Sequence, residues 1–166
     1  MALDATPSGE NSDSYVTLDE ANTYHGARLF NDAWTAATDA TKEASIKWAT
    51  SMLDEYFEWV GSRASSLQAL GWPRSNAESD GRVLSNLVVP TSIKKATSEF
   101  AFLLLSSDRV SLSEPSSQGL DSISVGPIEL SFDDEERASF MPGIIKTMVG
   151  GLADNTSNIM VRIKRA

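Results

Sequence analysis

At 166 residues the chain is long enough to bury a core without disulfides or structural metals, and short enough to be a single domain. Fourteen Lys+Arg against 23 Asp+Glu leave a net charge of −9, and a body this acidic repels a phosphate backbone rather than recruiting it. The absence of cysteine excludes a disulfide framework, thiolate metal ligands and a cysteine nucleophile.

The charge is uneven. Arg162, Lys164 and Arg165 put +3 into the last five residues, and removing that from −9 leaves −12 for everything before them. The plainest reading of the acidity is solubility. Residues 1–13 lack a basic cluster followed by an apolar run, and nowhere do eighteen apolar residues follow one another, so the chain reads as soluble and non-secreted, with no membrane partner.

Residues 1–14, with Pro7, Gly9 and many small polar side chains, read as a flexible arm. Thr17 and Glu20 have the spacing of a capping box and predict a first helix from Leu18 to about Phe30, with Leu18, Ala21, Tyr24, His25 and Leu29 near one face. His25 is the only histidine. A ligand or base role for it has no partner visible in sequence, and a buried structural role is the plainer reading. Trp34 should fold back onto the core from a polar connection.

The organising stretch runs from Asp39 to Val60. Ala49, Met52, Leu53, Tyr56, Phe57 and Val60 recur at helical spacing, Thr38 or Asp39 can cap the start, and Gly61 is placed to stop the helix. Residues 61–86 then form a long connection, uncommon in a compact domain unless it is functional or builds local structure of its own. Leu67 to Leu70 could make one helical turn. Pro73 presents Trp72 in one direction, either as a plug for a pocket or as part of the core, and Asp80-Gly81-Arg82 reads as a turn.

Pro90 opens a further helix with Ile93, Ala96, Thr97, Phe100, Ala101 and Leu104 inward and Lys94, Lys95 and Glu99 on the wet side. Its second half, Phe100 to Leu105, is apolar all round and must be covered on several sides, by the domain or by a neighbouring subunit. From Ser122 the period changes to two, which predicts a ribbon at about 122–132. A last helix follows from Phe140-Met141-Pro142 through Leu152. In residues 155–166, Ile159, Val161 and Ile163 alternate with Met160, Arg162 and Lys164, a pattern that fits strand addition to another protein or pairing with the 122–132 ribbon. The fold expected is therefore mainly α: a small bundle of about four helices with a short β-ribbon, residues 15–153 forming the body and 154–166 an extended basic tail.

Ser14-Tyr15-Val16-Thr17-Leu18-Asp19-Glu20-Ala21, Leu53-Asp54, Gly61-Ser62-Arg63, Gln68-Ala69-Leu70-Gly71-Trp72-Pro73-Arg74, Asp80-Gly81-Arg82 and Val89-Pro90 together resemble a tailed-bacteriophage family often labelled DnaT-like ssDNA-binding, which is also similar to head-tail connector adaptors. The resemblance spans about Tyr15 to Leu105, and the Trp-Pro-Arg block is its most specific part. It implies a mostly helical adaptor in a homo-oligomeric ring, typically dodecameric, between the portal protein and a tail or neck protein, in the neck of a virion assembled in the host bacterial cytoplasm. Double-stranded DNA would pass without specific binding. The ssDNA label implies instead a basic, aromatic-lined groove.

Trp48, Tyr56, Phe57 and Trp59 share their stretch with Asp54, Glu55 and Glu58, which disfavours that groove. A structural connector is therefore the leading expectation and a DnaT-like ssDNA-binding replication protein the alternative. The residues expected to meet the portal or a neighbouring subunit are Ile159, Val161, Arg162, Ile163, Lys164 and Arg165. Trp72 and Arg74 are expected to anchor the long loop, and Phe100, Phe102 and Leu103 to pack laterally between subunits. One histidine, no cysteine, no phosphate loop and no metal-ligand spacing point away from an enzyme, and no cofactor or metal is expected.

Overall fold

The computed structural model describes residues 3–108, 122–125, 128–131 and 141–154, with the two central strands and residue 154 described by their backbone pairing alone. Helix α1 (Leu18–Gly26) starts on the predicted capping box. The Thr17 hydroxyl accepts from the Glu20 amide at 3.1 Å, and the Glu20 carboxylate accepts from the Thr17 amide at 2.9 Å. The helix ends four residues earlier than expected, and Leu29 is 79 % exposed rather than on the buried face. The short α2 (Asp32–Ala36) carries Trp34 into the core, where its indole nitrogen donates to the Asn22 side chain at 2.9 Å.

Helix α3 (Asp39–Tyr56) is capped by Thr38 and buries Ile46, Ala49, Met52 and Leu53. It does not run to Val60, because Phe57 adopts extended backbone angles and turns the chain into strand β1 (Glu58–Trp59). Gly61 is thus not the helix stop. It holds φ +75 in the turn leading to β2 (Ser62–Arg63), where a side chain would meet the Ser75 carbonyl.

The long connection builds local structure. β2 pairs antiparallel with β3 (Arg74–Ser75), and β4 (Glu78–Ser79) pairs with β5 (Arg82–Val83). Asp80 and Gly81 at φ +53 and +71 are the two left-handed residues that a tight two-residue hairpin requires. Residues 67–70 form no helix. The Gln68 side chain ties that stretch down instead, accepting from the Ser65 amide and donating to the Leu70 and Pro73 carbonyls.

Helix α4 (Thr91–Ser106) follows Pro90 and packs along α3, with Ile93, Ala96, Thr97, Phe100 and Ala101 all buried. Fully buried alanines on both helices let the backbones approach closely. Strands β6 (Ser122–Val125) and β7 (Ile128–Ser131) form the expected hairpin, Ile123 opposite Leu130 and Val125 opposite Ile128. Helix α5 (Gly143–Val149) lies against α4 through Ile145 and Val149, and β8 (Ala153–Asp154) closes the body by pairing with β1, Trp59 opposite Ala153. The architecture is mainly α, with five helices and small antiparallel pairs among the described residues.

The N-terminal segment is not the flexible arm expected. Asp13 and Ser14 donate their amides to the Asp4 carbonyl, the Asp4 amide donates to the Asp13 side chain, and the Ala69 amide donates to the Gly9 carbonyl. Ser12 and Ser14 are buried, and Leu3 packs on the core. Small polar residues that look unanchored in one dimension are here a clip of backbone hydrogen bonds.

Gly61→Ala should destabilise the chain by about 2 kcal/mol or more, because it combines a left-handed side chain with a backbone collision. Urea denaturation followed by tryptophan fluorescence reads this, and an unchanged midpoint would show that the turn can relax.

Candidate functional site

The Trp-Pro-Arg block is seated by one carboxylate at the end of α3. Asp54 accepts from the Tyr15 hydroxyl through Oδ1, from the Trp59 indole nitrogen at 2.9 Å, and from the Gly71 amide at 2.8 Å through Oδ2. The Tyr15 hydroxyl in turn accepts from the Trp72 amide at 3.2 Å. Burial, then the charge of Asp54 and the hydrogen bond to it, hold the Tyr15 phenol protonated far above its ordinary range. Trp72 is 1 % exposed and meets Trp59 edge to face, so it is part of the core rather than a plug for an open pocket. The Trp72–Pro73 peptide is cis.

Arg74 spends its guanidinium on backbone. Nε donates to the Val60 carbonyl at 2.7 Å, Nη2 to the Gly61 carbonyl at 2.7 Å and Nη1 to the Gly71 carbonyl at 3.2 Å. Burial, then the positive charge of Arg63 across the β2–β3 pair, lowers its pKa. Asp54 and Arg74 thus grip the two ends of the loop. Sequence reasoning missed Asp54, although one signal was available: an acid in the last turn of a helix opposes the helix dipole and needs compensation from elsewhere.

A second polar cluster joins α1 to α4. Glu99, expected on the wet side, is buried. It accepts from Arg28 Nη2 at 2.8 Å, from Arg28 Nε at 3.1 Å and from the Tyr24 hydroxyl at 3.1 Å. Burial alone would raise the Glu99 pKa, but the hydrogen bond and charge of Arg28 bring it below the ordinary value. His25 is fully buried between Trp34 and Phe102, with Nε2 at 3.0 Å from the Ser98 carbonyl, and burial lowers its pKa. That is the structural histidine, not a ligand or base. Among the described residues no group of three or more His, Cys, Asp or Glu could hold a metal.

Three lysines among the described residues are likewise paired with carboxylates. Lys47 lies 2.6 Å from Asp13, Lys94 lies 2.5 Å from Glu20, and Lys42 lies 3.6 Å from Asp39. The shallow cleft beside the clasp sets Lys47 and Arg63 against Asp13, Asp54 and Glu55, a mixed lining rather than a cationic groove.

Of the residues expected to contact a neighbour, Phe100 has no surface left to offer: it is fully buried in its own subunit's core, where the side chains of α3 and α4 meet. Phe102 and Leu103 are half-buried, and Phe102 already carries the Arg28 guanidinium 4.1 Å over its ring. Ile159, Val161, Arg162, Ile163, Lys164 and Arg165, like the rest of the predicted tail, lie outside the described residues.

A family profile described as "Putative DnaT-like ssDNA binding protein" matches residues 1–166. The chain belongs to that family. No curated protein and no solved structure matches the chain.

Asp54→Asn should cost about 2–4 kcal/mol, since an amide donor would face groups that are themselves donors, and Tyr15→Phe about 1–3 kcal/mol. Denaturation midpoints measure both, and wild-type midpoints would show that the clasp is dispensable. The second cluster predicts acid sensitivity in two windows. With folded pKa values below 4.5 for Glu99 and below 6.5 for His25, each group binds protons more readily in the unfolded chain. The His25 contribution is complete above about 6.5 and is lost as the pH falls through its lowered folded value. That of Glu99 is complete above about 4.5 and is lost below it. Glu99→Gln should reduce the loss of stability below about pH 4.5 in a pH series of melts, and an unchanged acid limb would show that Glu99 does not contribute to it.

Proposed function

We propose that this chain binds single-stranded DNA, the activity its family's description carries, and does so weakly and electrostatically. The observation that carries the reading is the family match across all 166 residues. The residue inventory gives it a form. With Arg28, Arg74, Lys42, Lys47 and Lys94 engaged within the body, this reading assigns phosphate contact to the terminal Arg162, Lys164 and Arg165. Among the described residues, exposed Trp48 is an aromatic on which a base can stack.

A second reading, a structural connector in the neck of a tailed phage, ringed between portal and tail, is favoured by the same internal use of cations. A body that keeps its acids in excess lets duplex DNA slide past without adhering. In that reading the terminal segment meets the portal, and duplex DNA passes without specific binding. Neither reading calls for catalysis.

Fluorescence anisotropy with a labelled oligothymidylate separates the two. On the first, affinity should fall with salt at a slope of about −2 in log K against log salt, as three phosphate contacts on a single strand require. A chain ending at Asp154 should then lose most of its affinity. Absence of binding at low salt would remove the first reading, and electron micrographs of the protein alone and with a portal would test the second.

A further inference from the structure

His25 lies in a box of aromatic rings at the corner where α1, α2 and α4 meet. Its ring centroid is 4.1 Å from that of Trp34 and 5.5 Å from that of Phe102, and Tyr24 meets it edge to face at 5.0 Å. Nε2 faces the Ser98 carbonyl, which can only accept, so Nε2 carries the proton of the neutral imidazole and donates it. Nδ1 is then the bare nitrogen. It is buried and meets no hydrogen-bond partner among the described residues.

That arrangement suits the neutral ring alone. A second proton would have to sit on Nδ1, where no acceptor faces it, and its charge would lie in an apolar box instead of in water. Aromatic faces can shelter a cation, but both rings stacked on His25 already hold one. The Arg28 guanidinium is 4.1 Å from the Phe102 centroid, and Lys42 Nζ is 5.8 Å from the Trp34 centroid. The facing acid is Glu99, which already accepts from Arg28 and Tyr24, while Asp39 lies 3.6 Å from Lys42 on the exposed side. Thus α1 brings Tyr24 and Arg28 to the box, α3 brings Lys42, α4 brings Glu99, and α2 brings the neutral Trp34. Burial, with Arg28 and Lys42 acting in the same direction, outweighs the Ser98 hydrogen bond and Glu99, so the His25 pKa is lowered.

The wall of the box that can give is α2. It spans five residues, too few to hold a helix unaided, its N-cap Asn31 makes no side-chain cap, and Trp34 is the side chain it buries. The loop before it adds no burial, since Leu29 is 79 % exposed and Phe30 is 87 % exposed. Trp34 is held by its stack on His25 and by the Asn22 side chain. By contrast, the Arg28–Glu99 pair ties α1 to α4, and α4 packs along α3.

We propose that protonation of His25 swings α2 away from the core and takes Trp34 out of the box, while α1, α3 and α4 stay packed. The corner is an acid-opened flap, a local event distinct from the loss of global stability. In the opened corner the imidazole is solvated and takes its second proton near the ordinary histidine value, whereas in the closed corner it resists that proton. Opening is therefore suppressed above about pH 6.5. As the pH falls from there to the lowered closed value, the opening constant rises about tenfold per pH unit, and below that value it levels off. The flap depends on neither reading of the function and is measured with no DNA present.

Hydrogen exchange at the Trp34 indole N–H, followed by NMR on the isotope-labelled full chain, reads the flap directly. Between about pH 6.5 and 4.5 its protection, relative to free tryptophan at the same pH, should fall about tenfold per pH unit before levelling off. At each pH it should stay below the protection of the Ala49 and Ala101 amides, which exchange when the α3–α4 core opens. His25→Gln keeps a donor for the Ser98 carbonyl but takes no proton in this range, and its Trp34 protection should be flat. Should that variant fold poorly, the wild-type chain decides alone, because the His25 ring resonances should titrate together with the loss of Trp34 protection. Four results would each overturn the proposal: constant Trp34 protection across the range, a His25 ring that titrates with Trp34 still protected, a slope retained in His25→Gln, or Trp34 protection equal to that of Ala49 and Ala101.

Discussion

The structure depends on one carboxylate being satisfied. Asp54 sits where the α3 dipole is least hospitable to an acid, and three donors from outside the helix hold it there: a tyrosine 39 residues earlier, an indole five residues on and an amide 17 residues on. Those donors belong to the segment before α1, to β1 and to the Trp-Pro-Arg loop. Satisfying Asp54 therefore draws three separate stretches onto the end of one helix. Arg74 completes the arrangement from the other side, using a fork of nitrogens to tie down carbonyls that no strand or helix serves. The long connection is ordered because its polar groups are paired.

The Arg28–Glu99 pair plays the corresponding part at the other side of the core. Arg28 lies over the Phe102 ring, which itself stacks on His25, and its Nη1 also holds the Leu29 and Phe30 carbonyls, so the hydrogen bonds that hold α1 to α4 also set the geometry of the loop carrying those two residues. A charge drawn from water is costly unless it is fully paired, which explains why Tyr24 joins Arg28 on the same carboxylate. Packing and display are thus two consequences of one cluster.

This use of charge bears on function. Among the described residues, Arg28, Lys42, Lys47, Arg74 and Lys94 are committed to carboxylates and carbonyls of the chain's own fold. The family's description names single-stranded DNA, and those pairs leave the cationic terminal run as the basic stretch with no assigned role in the body.

What local chemistry controls could be read from the residues alone. The Thr17 and Glu20 capping box, the Thr38 cap, the Pro90 start of α4, the Asp80–Gly81 hairpin and the alternation in β6 and β7 all depend on groups within a few positions of one another. Their signals survive in one dimension for that reason. The sequence also indicated a mainly helical body, the structural role of His25 and the inward fold of Trp34. It could not show that Glu99 is buried, since on a helix it looks solvated until Arg28, 71 residues away, is brought beside it. Nor could it show the N-terminal clip or the end of α3 at Tyr56, and although the periodicity placed Phe100 inward, it could not show that the domain's own core leaves that side chain no surface for a neighbour. In each case partners distant in sequence decide, because whether a polar group is buried or an apolar one exposed is a property of the surface that meets it, and only the tertiary structure supplies that surface.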